Sequence, residues 1–383
     1  MQRDSNLRIL FISPGPSISN PASGEGIRLH QLSRRLSDSF DIYLLVPDHA
    51  RGNPPTWVTE QYSYTQWSLP FLTDLNPSFI HAIINVMRNN QIDVIHSSKG
   101  ICATRVAAES LTDTTVVYAA QNVEADHAQE FVSPSLPVHK RFLGPRLIPV
   151  IEQLSVVCAD AITTVSDADR DRFTGIYNIE NKDIRTIPTG TVSVDRDTLD
   201  PHDVVRQRYG LEKSSVAVFH GNFNHQPNRE AAQLITEQIA PAVQSGPLDI
   251  EFLLIGKNPP SNSASNVHFT GFVKDLYSVL NIADIAVVPI MQGGGTKTKI
   301  FDYISLGIPI IGSKKALRGI DIDDSQAVIL SNDVDEFTAE VTRLIKDTER
   351  RSRLSQNMSR LADKWSWEHS ATTLQEFYIE LST

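Results

Sequence analysis

The segment MQGGGTKTKIFDY, residues 291–303, gives the strongest indication of the fold. An apolar, strand-like run at 285–289 precedes it, and a helical pattern begins near its end. Three adjacent glycines between a strand and a helix let the backbone come close to a ligand, because no side chain stands in the way. A strand, a glycine loop and a helix in this order are typical of a parallel α/β sheet that binds a ligand at its edge.

Cationic and polar groups follow the three glycines. The first amides of a helix have no partner within the helix, so they point outward as donors. Lys297 and Lys299 add positive charge at the same place, and Asp302 follows one turn later. We therefore predict that the loop binds a diphosphate and that Asp302 holds a sugar hydroxyl. The competing interpretation is a flexible turn, followed by a carboxylate that favours the helix dipole.

Length and composition indicate two ordinary soluble domains. The chain has 383 residues, which is more than one domain usually holds, and 40% of them are hydrophobic and 21% charged. Acidic residues outnumber basic ones in both halves of the chain, and the net charge is −10. This balance argues against a nucleic-acid partner, which would require a basic face.

Cysteine usage and hydropathy bear on the compartment. Cys102 and Cys158 are the only cysteines, too few for a disulfide framework, so we expect a cytoplasmic protein. The apolar run Leu7 to Ile12 is too short for the core of a signal peptide. No apolar run reaches the ~18 residues of a membrane-spanning helix, so none is predicted.

Strands and helices alternate along both halves, which predicts a parallel sheet covered on both faces in each half. The first half has strand-like runs at 7–13, 41–46, 93–96, 115–119, 161–165 and 184–188. The second half has them at 215–221, 249–256, 267–270, 285–289, 308–313 and 327–330. The principal helices are expected at 228–243, 334–364 and 368–381, with another that contains Leu29, Leu32 and Leu36.

This pattern predicts two Rossmann-like domains. The first spans 1–190, a linker spans about 191–203, and the second spans 204–365, with a last helix at 366–383 packing back on the first domain. Ligands of open parallel sheets bind beyond the carboxyl ends of the strands. We therefore expect a central cleft lined by the loops at 14–26, 120–125, 221–227, 271–273 and 292–299.

Further motifs accompany the glycine loop in a fixed order. They are ADAITTVS at 159–166, FHGNFNHQPN at 219–228, FTGFV at 269–273, ADIAVVP at 283–289 and LGIPI at 306–310. With these motifs the chain resembles the family 4 glycosyltransferases along nearly its whole length, and the subset with a glycine-rich donor loop matches best. The resemblance implies an α/β fold of the GT-B type, in which two Rossmann-like domains face a central cleft.

The chain departs from the family pattern at several positions. Many members carry two glutamates eight positions apart in the donor loop, whereas this chain has Gly294 and Asp302. A histidine near the reacting sugar is common in the first domain, and Gln121 occupies the matching place. Gly294 cannot supply a carboxylate, and Gln121 can form hydrogen bonds but cannot act as a base. Donor binding therefore carries over from the family better than acceptor chemistry does.

The resemblance implies a retaining glycosyltransferase of the hexosyltransferase type. The nucleotide diphosphate-sugar would bind the second domain as co-substrate, and a glycan, glycolipid or small-molecule acceptor would bind the first. No cofactor and no metal are expected, although Asp321-Ile322-Asp323 spells a D-x-D sequence. A role in polysaccharide biosynthesis follows from the same resemblance.

Named residues follow from these motifs. Lys299 and Lys297 are the catalytic candidates. The donor-binding candidates are Gly221, Asn222, Asn224, Gly256, Phe272, Val273, Gly293, Gly294, Gly295, Thr296 and Asp302. The acceptor-side candidates are Gly24, Glu25, Gly26, Arg28, Gln121, Asn122 and Glu124. His127, His220 and His225 are interpreted as structural or exposed rather than catalytic.

Several alternatives stay open at the level of sequence. A nucleotide-sugar 2-epimerase shares the fold but needs acid–base carboxylates in the cleft. A glycogen- or sucrose-type glucosyltransferase would require the paired glutamates, and a non-catalytic nucleotide-sugar-binding protein would require none of these groups. The mixed basic and apolar stretch at 138–148 is either a peripheral membrane contact, at the inner membrane face, or a solvated face packed on a core.

Overall fold

A computed structural model describes residues 7–13, 24–67, 70–128, 138–177, 179, 181–246, 248–261, 264–293, 295–320, 322 and 327–383. The chain divides into two compact units. The first consists of Met1–Gly190 together with Trp367–Thr383, and the second of Thr191–Ser366.

The described part of the first unit contains a seven-stranded parallel sheet, in the order β3-β2-β1-β4-β5-β6-β7. Residues Ile9–Ile12 of the first strand are buried, as expected for a strand covered on both faces. The strands are β1 (Arg8–Ile12), β2 (Asp41–Pro47), β3 (Glu60–Tyr64), β4 (Val94–Ser97), β5 (Thr115–Ala119), β6 (Ala161–Thr164) and β7 (Asp183–Thr186). The α-helices are α1 (Gly24–Leu36), α2 (Pro77–Asn89), α3 (Ile101–Leu111), α4 (Glu124–His127), α5 (Val138–Cys158), α6 (Asp167–Ile176) and α14 (Trp367–Leu381).

The second unit contains a six-stranded parallel sheet in its described residues, in the order β10-β9-β8-β11-β12-β13. The strands are β8 (Ser215–His220), β9 (Ile250–Ile255), β10 (Val267–Gly271), β11 (Ile285–Val288), β12 (Ile310–Gly312) and β13 (Val328–Leu330). The α-helices are α7 (His202–Tyr209), α8 (Gln226–Leu234), α9 (Ala240–Gln244), α10 (Leu276–Asn281), α11 (Thr298–Ser305), α12 (Val334–Lys346) and α13 (Thr348–Lys364).

The strand order of the second unit positions its candidate site. From β8 the chain continues to β9 on one side, and it later returns to place β11 on the other side. Connections from two adjacent strands therefore diverge at the carboxyl ends of β8 and β11, which is the switch point where open α/β sheets bind ligands. The loop after β8 and the glycine loop after β11 both start there.

Two predicted helices have a different course. The helix predicted at 334–364 is two helices, because Asp347 leaves the helical conformation and its side chain accepts a hydrogen bond from the Arg350 amide at 2.8 Å. The helix predicted at 228–243 begins at Gln226 and passes through a π-helical turn, Ile235–Ile239. Pro241 lies two residues after the end of that turn, and its missing N–H removes one regular helical hydrogen bond.

Residues 191–203, which the sequence analysis treats as a linker, lie in the second unit. Thr191 bridges Ser366 in parallel fashion, and the Arg196 guanidinium donates to the Leu306 carbonyl at 2.7 Å. The last helix, α14, belongs to the first unit, where the Ser370 hydroxyl donates to the Pro188 carbonyl at 2.9 Å. Strand β3 was absent from the sequence expectations, because its half-exposed residues lack an apolar run.

Among the helices of the described residues, none has the length and apolar character needed to cross a membrane. The predicted loop at 14–26 lies outside the described residues up to position 23, as do Gly294, Asp321 and Asp323.

Candidate active site

The two loops at the switch point of the second unit are in contact. A Cβ atom placed on Gly293 would lie 2.8 Å from the ring of Pro227, so the glycine loop packs directly on the loop after β8. The Lys299 ammonium donates to the Asn228 side-chain oxygen at 2.6 Å. These contacts bring the glycine-loop lysine and the Pro-Asn motif, about seventy residues apart in sequence, into one site.

Lys299 is a buried cation with few fixed partners. Its residue is only 7% exposed, and its ammonium lies 4.1 Å from the centroid of the Phe219 ring. Burial, and then repulsion from Lys297, lower the pKa of Lys299 to about 7, while Asp302 opposes this change. An anion beside the ammonium would stabilise the charged form. The protonation of Lys299 is therefore sensitive to a ligand near neutral pH.

The rest of the glycine loop offers further polar groups. The Lys297 ammonium donates to the Gly295 carbonyl at 2.9 Å, and Gly295 has a positive φ of 65°. Within the described residues, the Thr296 hydroxyl oxygen is buried without a hydrogen-bond partner. The described residues likewise provide no side-chain cap for the N-terminus of α11. Outward-pointing amides and an unpaired hydroxyl make this loop suitable for an anion.

Glycines end three neighbouring strands at this edge of the sheet. The Gly221 amide donates to the Ile255 carbonyl at 2.9 Å, and the Gly256 amide donates to the Gly271 carbonyl at 3.0 Å. A Cβ atom on Gly256 would lie 1.8 Å from the Gly221 carbonyl oxygen, which excludes any side chain there. A Cβ atom on Gly221 would lie 3.0 Å from the Lys299 ammonium, so glycine keeps the space beside this cation open.

The predicted donor contacts Asn222 and Asn224 shape the loop after β8. The Asn222 side chain accepts from the Asn224 amide at 3.0 Å, which is the hydrogen bond of an Asx-turn. The Asn222 carbonyl accepts from the Asn228 side-chain nitrogen at 3.0 Å and from the His225 amide at 3.1 Å. The structure thus gives Asn222 a role in holding the loop.

Asp302 already has partners in the second unit. It accepts a hydrogen bond from the Tyr277 hydroxyl at 2.8 Å, and its second oxygen lies 3.4 Å from Nε2 of His220. The latter nitrogen is buried and has no hydrogen bond to any described residue, and its ring packs edge-on against Tyr303 at 5.1 Å between centroids. Burial, and then Asp302, raise the pKa of Tyr277. The carboxylate is therefore oriented before a ligand arrives.

Sequence reasoning missed the partners Tyr277 and Asn228 and assigned no site role to His220. A polar residue at the end of a buried strand was the available signal for His220, and the Pro-Asn pair at a helix start was the signal for Asn228. Nothing in the local sequence distinguishes Tyr277 from an ordinary surface tyrosine of a helix.

The turn after β10 presents an aromatic ring at the same edge of the sheet. Phe272 is 65% exposed, and the Lys257 ammonium lies 4.5 Å from the centroid of its ring. Val273 is half-buried and packs against the core of the second unit. An exposed ring beside a cation is a surface on which a planar base can stack.

The predicted acceptor residues of the first unit are held more firmly. The Arg28 guanidinium is buried and donates to the carbonyls of Ile187 and Pro188 at 2.5 and 3.1 Å. Burial lowers the pKa of Arg28 to about 10. The Glu25 carboxylate accepts from the Ser98 hydroxyl at 2.6 Å. Gly24 and Gly26 lie in the first turn of α1.

A buried carboxylate that the sequence analysis did not single out holds the segment after β5. The Glu152 side chain accepts from the amides of Glu124 and Ala125 at 2.7 and 2.8 Å and from the Tyr177 hydroxyl at 2.6 Å. Burial raises the pKa of Glu152. Gln121 and Asn122 are half-buried in the turn that precedes these amides. Glu152 thus fixes the backbone of the predicted acceptor segment.

In the part of the chain that the structure describes, no group of three or more His, Cys, Asp or Glu side chains is arranged to hold a metal ion.

Each of the two units contains a segment that matches a known protein family. The family described as Glycosyltransferase Family 4 matches residues 22–193, and the family described as Glycosyl transferases group 1 matches residues 214–347. A sequence comparison with curated proteins returns no match. The first of these family matches contains strands β2 to β7 of the first sheet, and the second contains all six strands of the second sheet.

Solved structures similar in fold extend over almost the whole chain. Sucrose-phosphate synthase from Thermosynechococcus elongatus has a TM-score of 0.73 at 16% identity, over 98% of this chain and 99% of that one. HepE from Anabaena, in complex with UDP and glucose, has a TM-score of 0.72 at 13% identity, over 98% of this chain and 100% of that one. WaaG, a glycosyltransferase involved in lipopolysaccharide biosynthesis, has a TM-score of 0.70 at 13% identity, over 97% of this chain and 99% of that one.

The predicted fold class and family are thereby confirmed at the level of both Rossmann-like units. The glycine loop, the Pro-Asn loop and the strand-end glycines lie within the segment that the group 1 family matches. The chain belongs to the family 4, or group 1, glycosyltransferases and is a glycosyltransferase with the GT-B fold.

Proposed function

We propose that this glycosyltransferase transfers a hexosyl group, with retention and without a metal ion, from a nucleotide diphosphate-sugar to a glycan, glycolipid or small-molecule acceptor. The observation that carries the proposal is the buried Lys299 ammonium beside the open space at Gly221. A cation that burial makes costly is well explained by an anionic ligand that occupies this space. UDP-glucose is the first donor to test, because a solved structure of HepE contains it.

The chemistry follows from charge development at the diphosphate. When the bond between the sugar carbon and the diphosphate oxygen breaks, negative charge grows on the departing phosphate. Lys299 stabilises this charge first, Lys297 second, and the amides of Gly295 and Thr296 third, because preorganised donors act where charge develops. The acceptor oxygen forms the new bond on the same face of the sugar, and its proton passes to a phosphate oxygen of the leaving group.

That proton path needs no protein base. Gln121, at the position where a histidine is common in the family, can orient a hydroxyl but cannot take its proton. Metal independence is part of the proposal because two lysines bring the positive charge that a diphosphate leaving group requires. Activity should therefore persist in EDTA, and loss of turnover in EDTA with recovery on addition of Mg²⁺ would contradict this part.

A donor screen tests the proposal as a whole. Thermal shifts with UDP, GDP, ADP and TDP and their sugars should identify one nucleotide, since a ligand at 100 times its dissociation constant stabilises by about 2.7 kcal/mol. A nucleotide-release assay with that donor should then show turnover, and NMR of the product should show the anomeric configuration of the donor. Absence of stabilisation by every nucleotide-sugar would contradict the proposal.

The same NMR experiment distinguishes a glycosyltransferase from the alternative, a nucleotide-sugar 2-epimerase. An epimerase would convert the donor into its C2 epimer without any acceptor, and it would need acid–base carboxylates beside the sugar. Asp302, the carboxylate nearest to the glycine loop in sequence, already accepts a hydrogen bond from Tyr277, and its second oxygen lies 3.4 Å from Nε2 of His220. We expect no epimer, and its appearance in the absence of an acceptor would favour the alternative.

Contact with a membrane remains a prediction for the stretch 138–148. The described part of helix α5 supports it, because Leu143, Val150, Leu154 and Val157 are large apolar side chains that are exposed. Co-sedimentation with vesicles of anionic lipid at low salt should show binding. If the protein stays in the supernatant under these conditions, the result would favour the interpretation of a solvated face packed on a core. We also propose a cytoplasmic location and a role in polysaccharide biosynthesis.

A further inference from the structure

We infer that Asn228 is a positioning residue that holds the Lys299 ammonium beside the open space at Gly221, and that the rate of sugar transfer depends on this hydrogen bond. The inference rests on the proposed function of Lys299. It adds a residue of the first turn of α8 to the groups on which transfer depends, and Asn228 acts through Lys299.

The orientation of the Asn228 amide is determined by two partners of opposite kind. Its oxygen accepts from the Lys299 ammonium at 2.6 Å, and its nitrogen donates to the Asn222 carbonyl at 3.0 Å. The reverse orientation would direct the amide nitrogen at an ammonium and the amide oxygen at a carbonyl, which are both repulsive arrangements. An amide satisfies both partners at once, whereas neither a carboxylate nor an aliphatic side chain does so.

Contacts of the neighbouring backbone hold Asn228 and its two hydrogen-bond partners in place. Pro227 precedes it in the first turn of α8 and packs on Gly293 of the glycine loop. The Asn222 carbonyl, which anchors the amide nitrogen, belongs to the Asx-turn closed by Asn224. The position of the Lys299 ammonium is therefore set by a turn on a different strand connection from the one that carries Lys299.

The ammonium retains capacity for a ligand. An ammonium has three donors, and within the described residues one of them is directed at Asn228. A Cβ atom at Gly221 would meet both the Asn228 side chain, at 2.7 Å from its nitrogen, and the Lys299 ammonium, at 3.0 Å. The amide, the ammonium and the strand-end glycine thus border one small space, and a phosphate oxygen there would contact the ammonium that Asn228 directs.

Substitutions at Asn228 should also change the protonation of Lys299, because its side-chain oxygen is the hydrogen-bond acceptor of the ammonium. The titratable groups that act on this ammonium are Lys297 in the same loop and Asp302 in the same helix, and His220 lies against that carboxylate. An aspartate at 228 would add a negative charge at hydrogen-bond distance and raise the pKa of Lys299. A leucine would remove the acceptor and lower it further.

The test compares Asn228→Leu and Asn228→Asp with the control Gln233→Leu, which makes the same amide-to-aliphatic change on the exposed face of α8. Asn228→Leu should lower kcat by roughly tenfold or more, the scale of a hydrogen bond to a charged group. The alkaline limb of its pH–rate profile should move to lower pH. Asn228→Asp should move that limb to higher pH and raise KM for the donor. Gln233→Leu should match wild type.

A second measurement does not depend on the donor. NMR of protein labelled with 13C at the lysine Cε reports the titration of Lys299, assigned by the loss of its signal in Lys299→Met. The midpoint should rise in Asn228→Asp and fall in Asn228→Leu, while Gln233→Leu leaves it unchanged. If the two Asn228 variants leave this midpoint where it is in wild type, the inference is overturned even when no donor has been found.

The double variant separates positioning from a general structural effect. In the Lys299→Met background, Asn228→Leu should change kcat less than about twofold, because its effect acts through the missing ammonium. A full tenfold loss in that background would contradict the inference. Failure of every nucleotide-sugar to bind wild type would instead refute the proposed function and leave the NMR result to decide the role of Asn228.

Discussion

Arg28 in the first unit and Lys299 in the second are both buried cations, and they differ in what surrounds the charge. The Arg28 guanidinium donates to two backbone carbonyls. The Lys299 ammonium has one amide oxygen and the face of an aromatic ring. Burial lowers the pKa of Arg28 to about 10 and that of Lys299 to about 7. A buried cation whose hydrogen bonds go to backbone acceptors stabilises the fold. A buried cation with few acceptors can still bind an anionic ligand.

The largest expected effect separates activity from stability at Lys299. Lys299→Met should reduce kcat by ~10²-fold or more, as for loss of one donor that stabilises a developing anion. Its midpoint of thermal unfolding should equal that of wild type or be higher. The reason is that an apolar side chain at this position removes the free-energy cost of burying a charge. Steady-state kinetics and calorimetry measure the two quantities, and Lys213→Met, at an exposed lysine, is the matched control. A Lys299→Met protein that retains most of its turnover would contradict the assignment.

The same substitution at Arg28 should have the opposite consequence. Arg28→Met removes the guanidinium donor from the Ile187 carbonyl and leaves the Pro188 carbonyl with the Ser370 hydroxyl, and we expect a loss of about 2–4 kcal/mol in the free energy of unfolding. Denaturant titration measures it, with Arg353→Met on the exposed face of α13 as the control. Equal stability of Arg28→Met and wild type, together with a loss of activity, would place Arg28 in acceptor binding instead.

The pH dependence of stability sharpens the comparison. The pKa of Lys299 is about 7 in the folded protein, whereas the ordinary pKa of an unburied lysine is 10.5. Between these values Lys299 binds more protons in the unfolded chain than in the folded one, so its contribution makes the stability of wild type rise with pH. The cost of the buried charge is complete below pH 7. The stability advantage of Lys299→Met should shrink by about 1–2 kcal/mol between pH 7 and 8.5. A constant difference across this range would mean that Lys299 does not titrate there.

The smallest expected effect concerns the buried carboxylate of the first unit. Glu152→Gln places an amide nitrogen opposite one of the backbone amides of Glu124 and Ala125, and we expect a loss of about 1–2 kcal/mol in stability. Expressed as a free energy, the change in kcat should be smaller than the change in the free energy of unfolding. This is expected because Glu152 acts on the backbone of the acceptor segment. Glu376→Gln, at an exposed glutamate of α14, is the control. A loss of turnover with unchanged stability would indicate a direct catalytic role for Glu152.

The order of the elements could be predicted from sequence because parallel strands are short, apolar and separated by amphipathic helices. The edge strand β3 and the break at Asp347 could not, since half-exposed strand residues and a capping aspartate within a polar helix give no hydrophobic signal. The π-helical turn before Pro241 has the same explanation. A proline was visible in the sequence, but the way the helix accommodates it depends on packing.

The site was predictable wherever chemistry is local in sequence. The glycine loop and Lys299 follow from one segment of the chain. Asn228, Tyr277 and His220 required the structure, because they reach Lys299 and Asp302 from other strand connections. Arg28 shows the converse: its residue type suggested a ligand contact, whereas its side chain lies on carbonyls far along the chain. Sequence identifies the donors that are present, and tertiary contacts decide which of them are already used.

Isothermal titration calorimetry of the donor in buffers of different ionisation enthalpy tests the central claim most directly. A nucleotide diphosphate-sugar does not itself titrate near neutral pH, so proton uptake on binding reports a group of the protein. If the diphosphate binds beside Lys299, wild type should take up close to one proton per bound donor at about pH 8, and Lys299→Met should take up none. Donor binding by wild type without proton uptake at this pH would contradict the account.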